Sequence, residues 1–167
     1  MKTKDESLLE IRGASIGVIT EQSSSEEKFQ NQTLRPILKF QNELFIEVFR
    51  NYAVKQKGVY FTLSPEKKEN YIENAIQRDI KFRNSLKGIV FGMFTVSEYK
   101  EYIQNSSNLN KRMMNLLIER LKSQIQLFEE LTHRHIEKLA NYTKILHSNR
   151  YSILRSCNRK KVAWLEM

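Results

Sequence analysis

Apolar residues recur along most of this chain at three- and four-residue spacing, the period of an amphipathic helix. The pattern is clearest over 33–57 and 65–87, which it predicts to be two long helices at the centre of the protein. A last long helix is predicted to begin near Leu109. The three apolar stripes comprise Leu34, Leu38, Phe45, Val48, Phe49 and Tyr52, then Ile72, Ala75, Ile76, Phe82 and Leu86, and finally Met113, Leu117, Leu121, Ile125, Phe128, Ile136, Leu139 and Leu146.

The pattern before the second helix is less regular. Residues 8–20 are predicted to form a helix, although Ala14, Ile16 and Val18 alternate as in a strand. Polar residues 22–32 are predicted to form a linker with a short turn. The second helix is predicted to start with Thr33 as its cap.

Two further segments lie between the third helix and the last one. The apolar run 89–94 either extends the third helix or forms a tight buried turn, and the pattern leaves both open. The run Thr95-Val96-Ser97-Glu98 matches a capping box and predicts another helix start, because threonine and glutamate side chains can bond the free amides there.

Helix-breaking residues are rare. The chain has 5 glycines and 2 prolines in 167 residues, and a share this low favours an all-α protein. We therefore predict a compact all-α bundle of four to five helices, formed by a single domain over 1–148. Periodicity fades beyond Asn149, so we predict that 149–167 is a basic tail outside the packed domain.

The net charge of +9 is concentrated at the C-terminal end, since residues 131–167 carry 8 basic and 2 acidic side chains. Basic side chains mixed with Tyr151 and Trp164 suit phosphate contacts and base stacking. One hypothesis is therefore that the tail binds nucleic acid. Its contacts would be Arg150, Arg155, Arg159, Lys160 and Lys161.

No constellation of reactive residues is evident. Cys157 is the one cysteine, and no histidine or carboxylate is placed to activate it. Glu130 and His133 have the spacing of a carboxylate-bridged di-iron site, but helical geometry points them away from the apolar stripe. We predict no catalytic residue, metal or cofactor. With no long apolar segment, we predict a cytoplasmic protein with no membrane association.

Four polar residues fall on apolar faces and are predicted to form a buried cluster: Gln41, Asp79, Arg83 and His135. One interpretation is a structural ion pair with a hydrogen-bonded amide. The other is a small ligand site between helices.

The second helix also carries apolar residues outside its main face, at Phe40, Ile46 and Val54. Apolarity on every side requires a surrounding bundle or a partner. The favoured hypothesis is therefore a non-catalytic helical interaction protein that binds a protein partner or associates with itself.

Four segments resemble those of a small, uncharacterised bacterial family often labelled glyoxalase: 33–39 (TLRPILK), 64–68 (SPEKK), 79–88 (DIKFRNSLKG) and 105–115 (NSSNLNKRMMN). The resemblance covers about residues 8–129. The label implies lactoylglutathione lyase chemistry, but no catalytic residue can be carried over with it. Metal-dependent glyoxalases are mixed α/β proteins with histidine and glutamate ligands, whereas the first histidine here is His133.

Overall fold

A computed structural model describes residues 2–128 of this chain. These residues contain eight α-helices and no strand, which confirms the all-α prediction. The helices are α1 (Lys4–Arg12), α2 (Ser25–Phe29), α3 (Arg35–Phe40), α4 (Asn42–Lys55), α5 (Pro65–Arg78), α6 (Ile80–Phe91), α7 (Val96–Gln104) and α8 (Ser106–Lys122). A π-helical turn, Gln30–Leu34, joins α2 to α3, and a 3-10 turn, Val59–Thr62, precedes α5.

The chain divides into two compact units, Met1–Ile125 and Gln126–Met167, and the fold described here is that of the first. The predicted domain boundary at 148/149 and the basic tail lie outside the described residues. None of the described helices is both long and apolar enough to cross a lipid bilayer.

The N-terminal helix starts earlier and ends sooner than predicted. Thr3 and Glu6 form a capping box, in which the Glu6 amide donates to Thr3 Oγ1 at 3.2 Å and the Thr3 amide donates to Glu6 Oε2 at 2.8 Å. The helix ends at Gly13, whose φ is 75°. Gly17 has a φ of 111°, so the predicted helix over 13–20 is wrong.

The predicted linker at 22–32 is also wrong, because most of it is helical. Ser24 caps α2 by accepting a hydrogen bond from the Glu27 amide at 3.2 Å. The chain then continues through the π-helical turn into α3, held to the core by Phe29. Thr33 therefore lies inside a helical segment and does not cap one.

Both predicted central helices are broken once, and the predicted linker contains α2, so the predicted number of helices was too low. Gln41 separates α3 from α4 with φ −88° and ψ 13°. Asp79 separates α5 from α6, since its extended backbone ends one helix and its Oδ1 accepts from the Phe82 amide at 3.0 Å to begin the next. The segment 89–94 combines both alternatives, because α6 runs to Phe91 and a turn follows.

The predicted apolar stripes form the core of the described residues, although Val48, Tyr52 and Ile125 are only half-buried. Ile136, Leu139 and Leu146 lie outside the described residues. Side chains from the π-helical turn and from α3, α4, α5, α6 and α8 are buried there, including Leu34, Ile37, Leu38, Phe45, Phe49, Ile72, Ile76, Leu86, Met113 and Leu117. Helix α5 packs on α6 and α8, α7 packs on α8, and α1 packs on α3. This arrangement leaves α8 with one face on the core and another beside the π-helical turn.

Candidate functional site

A groove runs between α8 on one side and the π-helical turn with α3 on the other. It consists of two adjoining cavities of about 420 Å³ and about 380 Å³ that share Arg35, Leu116 and Glu119. We call the first the polar half; it is also lined by Gln30, Lys111, Arg112 and Asn115. We call the second the apolar half; it is also lined by Ile16, Leu38, Arg120 and Ser123. Together the two halves are named the cationic groove.

Helix α8 supplies one wall because of its periodicity. Met113, Leu117 and Leu121 are buried in the core. Arg112, Leu116, Glu119, Arg120 and Ser123 recur at three- and four-residue intervals on the adjacent strip of the helix surface. The wall therefore carries charged and apolar side chains along about three turns.

The opposite wall is built around Gly17. The Ile16 amide donates to the Asn31 carbonyl at 2.9 Å, and Asn31 Nδ2 donates to the Val18 carbonyl at 3.1 Å. A Cβ at Gly17 would lie 3.0 Å from the Asn31 side chain and 3.1 Å from Arg35 Nη1. A glycine is required here both for its positive φ and for this close approach, which places the Arg35 guanidinium beside the backbone.

The three arginines of the groove have no carboxylate partner among the described residues. Arg112 donates to Gln30 Oε1 at 3.1 Å, and Arg120 donates to Asn42 Oδ1 at 3.1 Å. The Arg35 side chain makes neither a hydrogen bond nor an ion pair within that part of the chain. Glu119 is the one carboxylate in the lining of the groove, against Arg35, Lys111, Arg112 and Arg120, so an excess of positive charge is left for a ligand to neutralise.

Amide side chains fix the position of Arg120. Asn42 Nδ2 donates to Gln124 Oε1 at 3.0 Å, and Gln124 Nε2 donates back to Asn42 Oδ1 at 2.7 Å, so the acceptor of Arg120 is itself held. Burial lowers the pKa of Arg120 from its ordinary value, because desolvation disfavours the charged form. A partly desolvated cation held by neutral groups binds an anion more strongly than one in water.

Arg12 of α1 differs from the groove arginines, because it is paired with a carboxylate. Arg12, with a side chain only 1% exposed, pairs with both oxygens of Glu98 at 2.8 and 3.0 Å and donates to the Met93 carbonyl at 2.9 Å. Glu98 also accepts from Thr33 Oγ1 at 2.8 Å and from the Thr95 amide at 2.8 Å. This network joins α1, the π-helical turn and α7, and its charged groups are already paired with one another.

The predicted polar cluster is placed only in part. Asp79 caps α6, and the Arg83 guanidinium donates to the Gln77 carbonyl at 3.0 Å. Gln41 lies at the junction of α3 and α4, and no hydrogen bond or ion pair joins these three side chains in the described residues. His135 lies outside those residues, so the cluster as a whole stays a prediction.

Asp79 instead borders a smaller pocket of about 270 Å³ between α4 and α5, lined by Tyr52, Gln56, Tyr71, Asn74, Ala75, Arg78 and Asp79. Burial and the nearby Asp79 charge raise the pKa of Tyr52 to about 12. The Tyr52 ring stacks on Phe82 with a centroid distance of 4.0 Å. The pocket is at the small end of ligand sites, and the Asp79 carboxylate already accepts from the Phe82 amide to cap α6.

The groove residues were missed because charge was counted by segment. Residues 95–130 hold 5 basic and 5 acidic side chains, a neutral balance that hides how the charges are distributed around α8. Arg112 and Arg120 lie eight residues apart on one side of that helix. A projection of α8 down its axis would have found this pair, but nothing in the pattern predicts that Arg35 faces them.

Potential metal ligands do not cluster in the described part of the chain, where no group of three or more histidine, cysteine, aspartate and glutamate side chains is arranged to hold an ion. The predicted nucleic-acid contacts Arg150, Arg155, Arg159, Lys160 and Lys161 lie outside it. No protein-family model, curated protein or solved structure matches the chain. The resemblance to the family labelled glyoxalase therefore stays a prediction, and function must be argued from the groove.

Proposed function

We propose that this protein is a non-catalytic helical interaction protein that binds an acidic segment of a partner protein in the cationic groove. The observation that carries the proposal is the set of three arginines, Arg35, Arg112 and Arg120, that face one groove without a carboxylate partner among the described residues. Arginine is favoured where carboxylates are recognised, because its planar donors match their oxygens.

The shape and chemistry of the groove support a protein segment as its occupant. Its apolar lining, Ile16, Leu38 and Leu116, gives a surface for apolar side chains, and its cations give one for carboxylates. An acidic segment with apolar residues among its carboxylates is complementary to both.

Single-stranded nucleic acid is a poorer fit for the groove. Such ligands stack their bases on aromatic side chains. The described residues that line the groove include no aromatic side chain. Binding of nucleic acid by the tail is a separate hypothesis, as is the lyase activity that the family resemblance implies.

A partner was expected because the predicted second helix carries apolar residues outside its main face, and the structure changes that argument. Ile46 is buried, whereas Phe40 and Val54 are 49% and 58% exposed. Phe40 is the last residue of α3, and Val54 lies near the end of α4. The proposal therefore rests on charge complementarity in the groove and not on an apolar helix face.

The test is a binding titration followed by fluorescence anisotropy. The probe is a labelled peptide of alternating glutamate and leucine, and a lysine–leucine peptide is the control ligand. We expect the first to bind and the second not to bind, with affinity falling as salt rises from about 50 to about 200 mM because exposed charge pairs are screened.

The variant for this test is Arg35→Gln/Arg112→Gln/Arg120→Gln. It should weaken binding of the glutamate–leucine peptide at least about tenfold, which corresponds to about 1.4 kcal/mol. Lys39→Gln is the matched control, since Lys39 is an exposed cation on α3 that does not line the groove. Equal affinity of the triple variant and the original chain would contradict the proposal, as would tighter groove-dependent binding of a single-stranded oligonucleotide.

A further inference from the structure

We infer that the groove recognises a phosphorylated segment, with the phosphoryl group in the polar half and an apolar side chain of the same segment in the apolar half. This inference rests on the proposed function and specifies the chemistry of its ligand. It follows from how the charges and apolar residues are divided between the two halves.

The polar half concentrates positive charge from both walls. Arg35 approaches from α3, and Lys111 and Arg112 approach from α8, while Glu119 is the one carboxylate among its lining residues. An aspartate or glutamate brings a single negative charge to such a space. A phosphoryl group brings a charge of about −1.5 to −2 near neutral pH, so one group can neutralise cations from both walls at once.

Neutral donors in the polar half suit the additional phosphoryl oxygens. Gln30 accepts from Arg112 through Oε1, which leaves its Nε2 amide able to donate. Asn115 lies on the same half and makes no hydrogen bond through its side chain within the described residues. Two guanidinium groups and two amide groups therefore surround one cavity, and charge-assisted bonds from arginine to phosphate are frequently bidentate.

The apolar half differs in composition. Ile16 and Leu38 line this half alone, and Leu116 is shared with the polar half. Its polar lining is Arg120 and Ser123, together with the shared Arg35 and Glu119. The Ser123 hydroxyl is engaged, because it donates to the Arg120 carbonyl at 2.8 Å. A branched apolar side chain is the ligand group that this lining favours.

The spacing between the two subsites sets the spacing in the ligand. Arg112 and Arg120 mark the two halves and lie eight residues apart on α8, which is about 12 Å along the helix axis. An extended peptide advances about 3.3 Å per residue, so this span corresponds to three or four residues. The predicted motif is a phosphorylated residue with a leucine-like residue three or four positions away.

The test compares three synthetic peptides in a glycine–serine background. The first has phosphoserine with leucine three residues later, the second has glutamate in place of the phosphoserine, and the third has serine in place of the leucine. We expect the first to bind at least about tenfold more tightly than the second, because a phosphoryl group carries a charge of about −1.5 to −2 and three acceptor oxygens, whereas a carboxylate carries one charge and two oxygens. The third should bind about five- to tenfold more weakly than the first, since the apolar half is then left empty.

Single-residue variants assign the subsites. Arg35→Gln and Arg112→Gln should abolish the preference for phosphoserine over glutamate. Arg120→Gln should weaken all three peptides and keep that preference, and Lys39→Gln should change neither. Circular dichroism of each variant checks that the helices remain.

Each outcome decides between the claims. If the phosphoserine and glutamate peptides bind equally and both depend on the arginines, the phosphoryl inference is overturned while the proposed function stands. If no acidic peptide binds, the proposed function fails with it. If inorganic phosphate alone, at matched ionic strength, binds as tightly as the phosphopeptide, the ligand is a free anion and the inference of a protein segment is overturned.

Discussion

Replacement of Arg12 by alanine should strongly destabilise the fold. The Arg12 guanidinium donates three hydrogen bonds, one to the Met93 carbonyl and two to the Glu98 carboxylate, and its side chain is 1% exposed. Arg12→Ala would leave the Glu98 carboxylate, itself only 13% exposed, without its cation. Removing one partner of a buried pair costs about 3–5 kcal/mol, because the other charge stays buried and uncompensated.

The remaining contacts of Glu98 place the expected loss at the lower end of that range. Thr33 and Thr95 still donate to the carboxylate after the arginine is removed. We therefore expect a loss of about 3 kcal/mol in the free energy of unfolding. With a denaturant slope of about 1–3 kcal/mol per molar urea, the unfolding midpoint should fall by about 1–3 M.

The measurement is urea unfolding followed by circular dichroism at the helix band. Arg78→Ala is the matched control, because Arg78 is exposed at the end of α5 and should change stability by at most about 0.5–1 kcal/mol. The double variant Arg12→Ala/Glu98→Gln should lose less than the sum of its single variants, since no buried charge is left unpaired. A loss below about 1 kcal/mol for Arg12→Ala at unchanged slope would refute the assignment of this pair as a buried stabilising contact.

The same pair predicts a pH dependence. Burial alone would raise the pKa of Glu98, but hydrogen bonds from Arg12, Thr95 and Thr33 outweigh it, and the pKa lies below its ordinary value of 4.5. A carboxyl with a depressed pKa stabilises the fold above its unfolded pKa, and this contribution is lost as the pH falls through the folded pKa. In Arg12→Ala the effect of burial is less opposed, so the pKa of Glu98 should rise and the acid-induced loss should begin at a higher pH.

Three further predictions concern single positions. Gly17→Ala should lower the free energy of unfolding by about 1–3 kcal/mol, since φ is 111° and the added Cβ would lie 3.0 Å from a neighbouring side chain. Gly13→Ala should cost less, because its φ is 75° and no atom lies within 4 Å of the added Cβ; equal losses in urea unfolding would contradict this. Thr95→Ala should cost about 1 kcal/mol because it removes a helix cap, whereas Ser64→Ala should cost a few tenths at most because the Ser64 hydroxyl makes no capping bond; thermal unfolding compares the two. Tyr52→Phe should remove one tyrosine ionisation near pH 12 from a spectrophotometric titration, because burial raises the pKa of Tyr52 to about 12. An unchanged titration above pH 11 would show that burial does not protect this ring.

The sequence predicted the helical core because burial follows periodicity. The stripe Ile72, Ala75, Ile76, Phe82 and Leu86 is buried as expected, and the Thr95–Glu98 capping box is formed. These are local properties, in which side chains one turn apart face the same direction. They do not depend on which element packs against them.

The helix breaks could not be found from periodicity. The apolar face continues through Gln41 and Asp79, so the pattern alone gives no sign that the backbone departs from helical geometry there. Asp79 did carry a signal, since aspartate is a preferred helix cap, but its placement on the apolar face suggested a buried ion pair instead. Which of two roles such a residue takes is decided by its tertiary neighbours.

The groove depends on a feature that no helical projection contains. In a regular α-helix five residues cover about 140° beyond a full turn, so Gln30 and Arg35 would point in different directions. The π-helical turn instead closes a hydrogen bond from the Arg35 amide to the Gln30 carbonyl, which brings the two residues to about one turn apart. Both side chains consequently line the polar half of the groove. π-Helical turns are frequently found at functional sites, and here the turn is what sets an arginine of α3 opposite the arginines of α8.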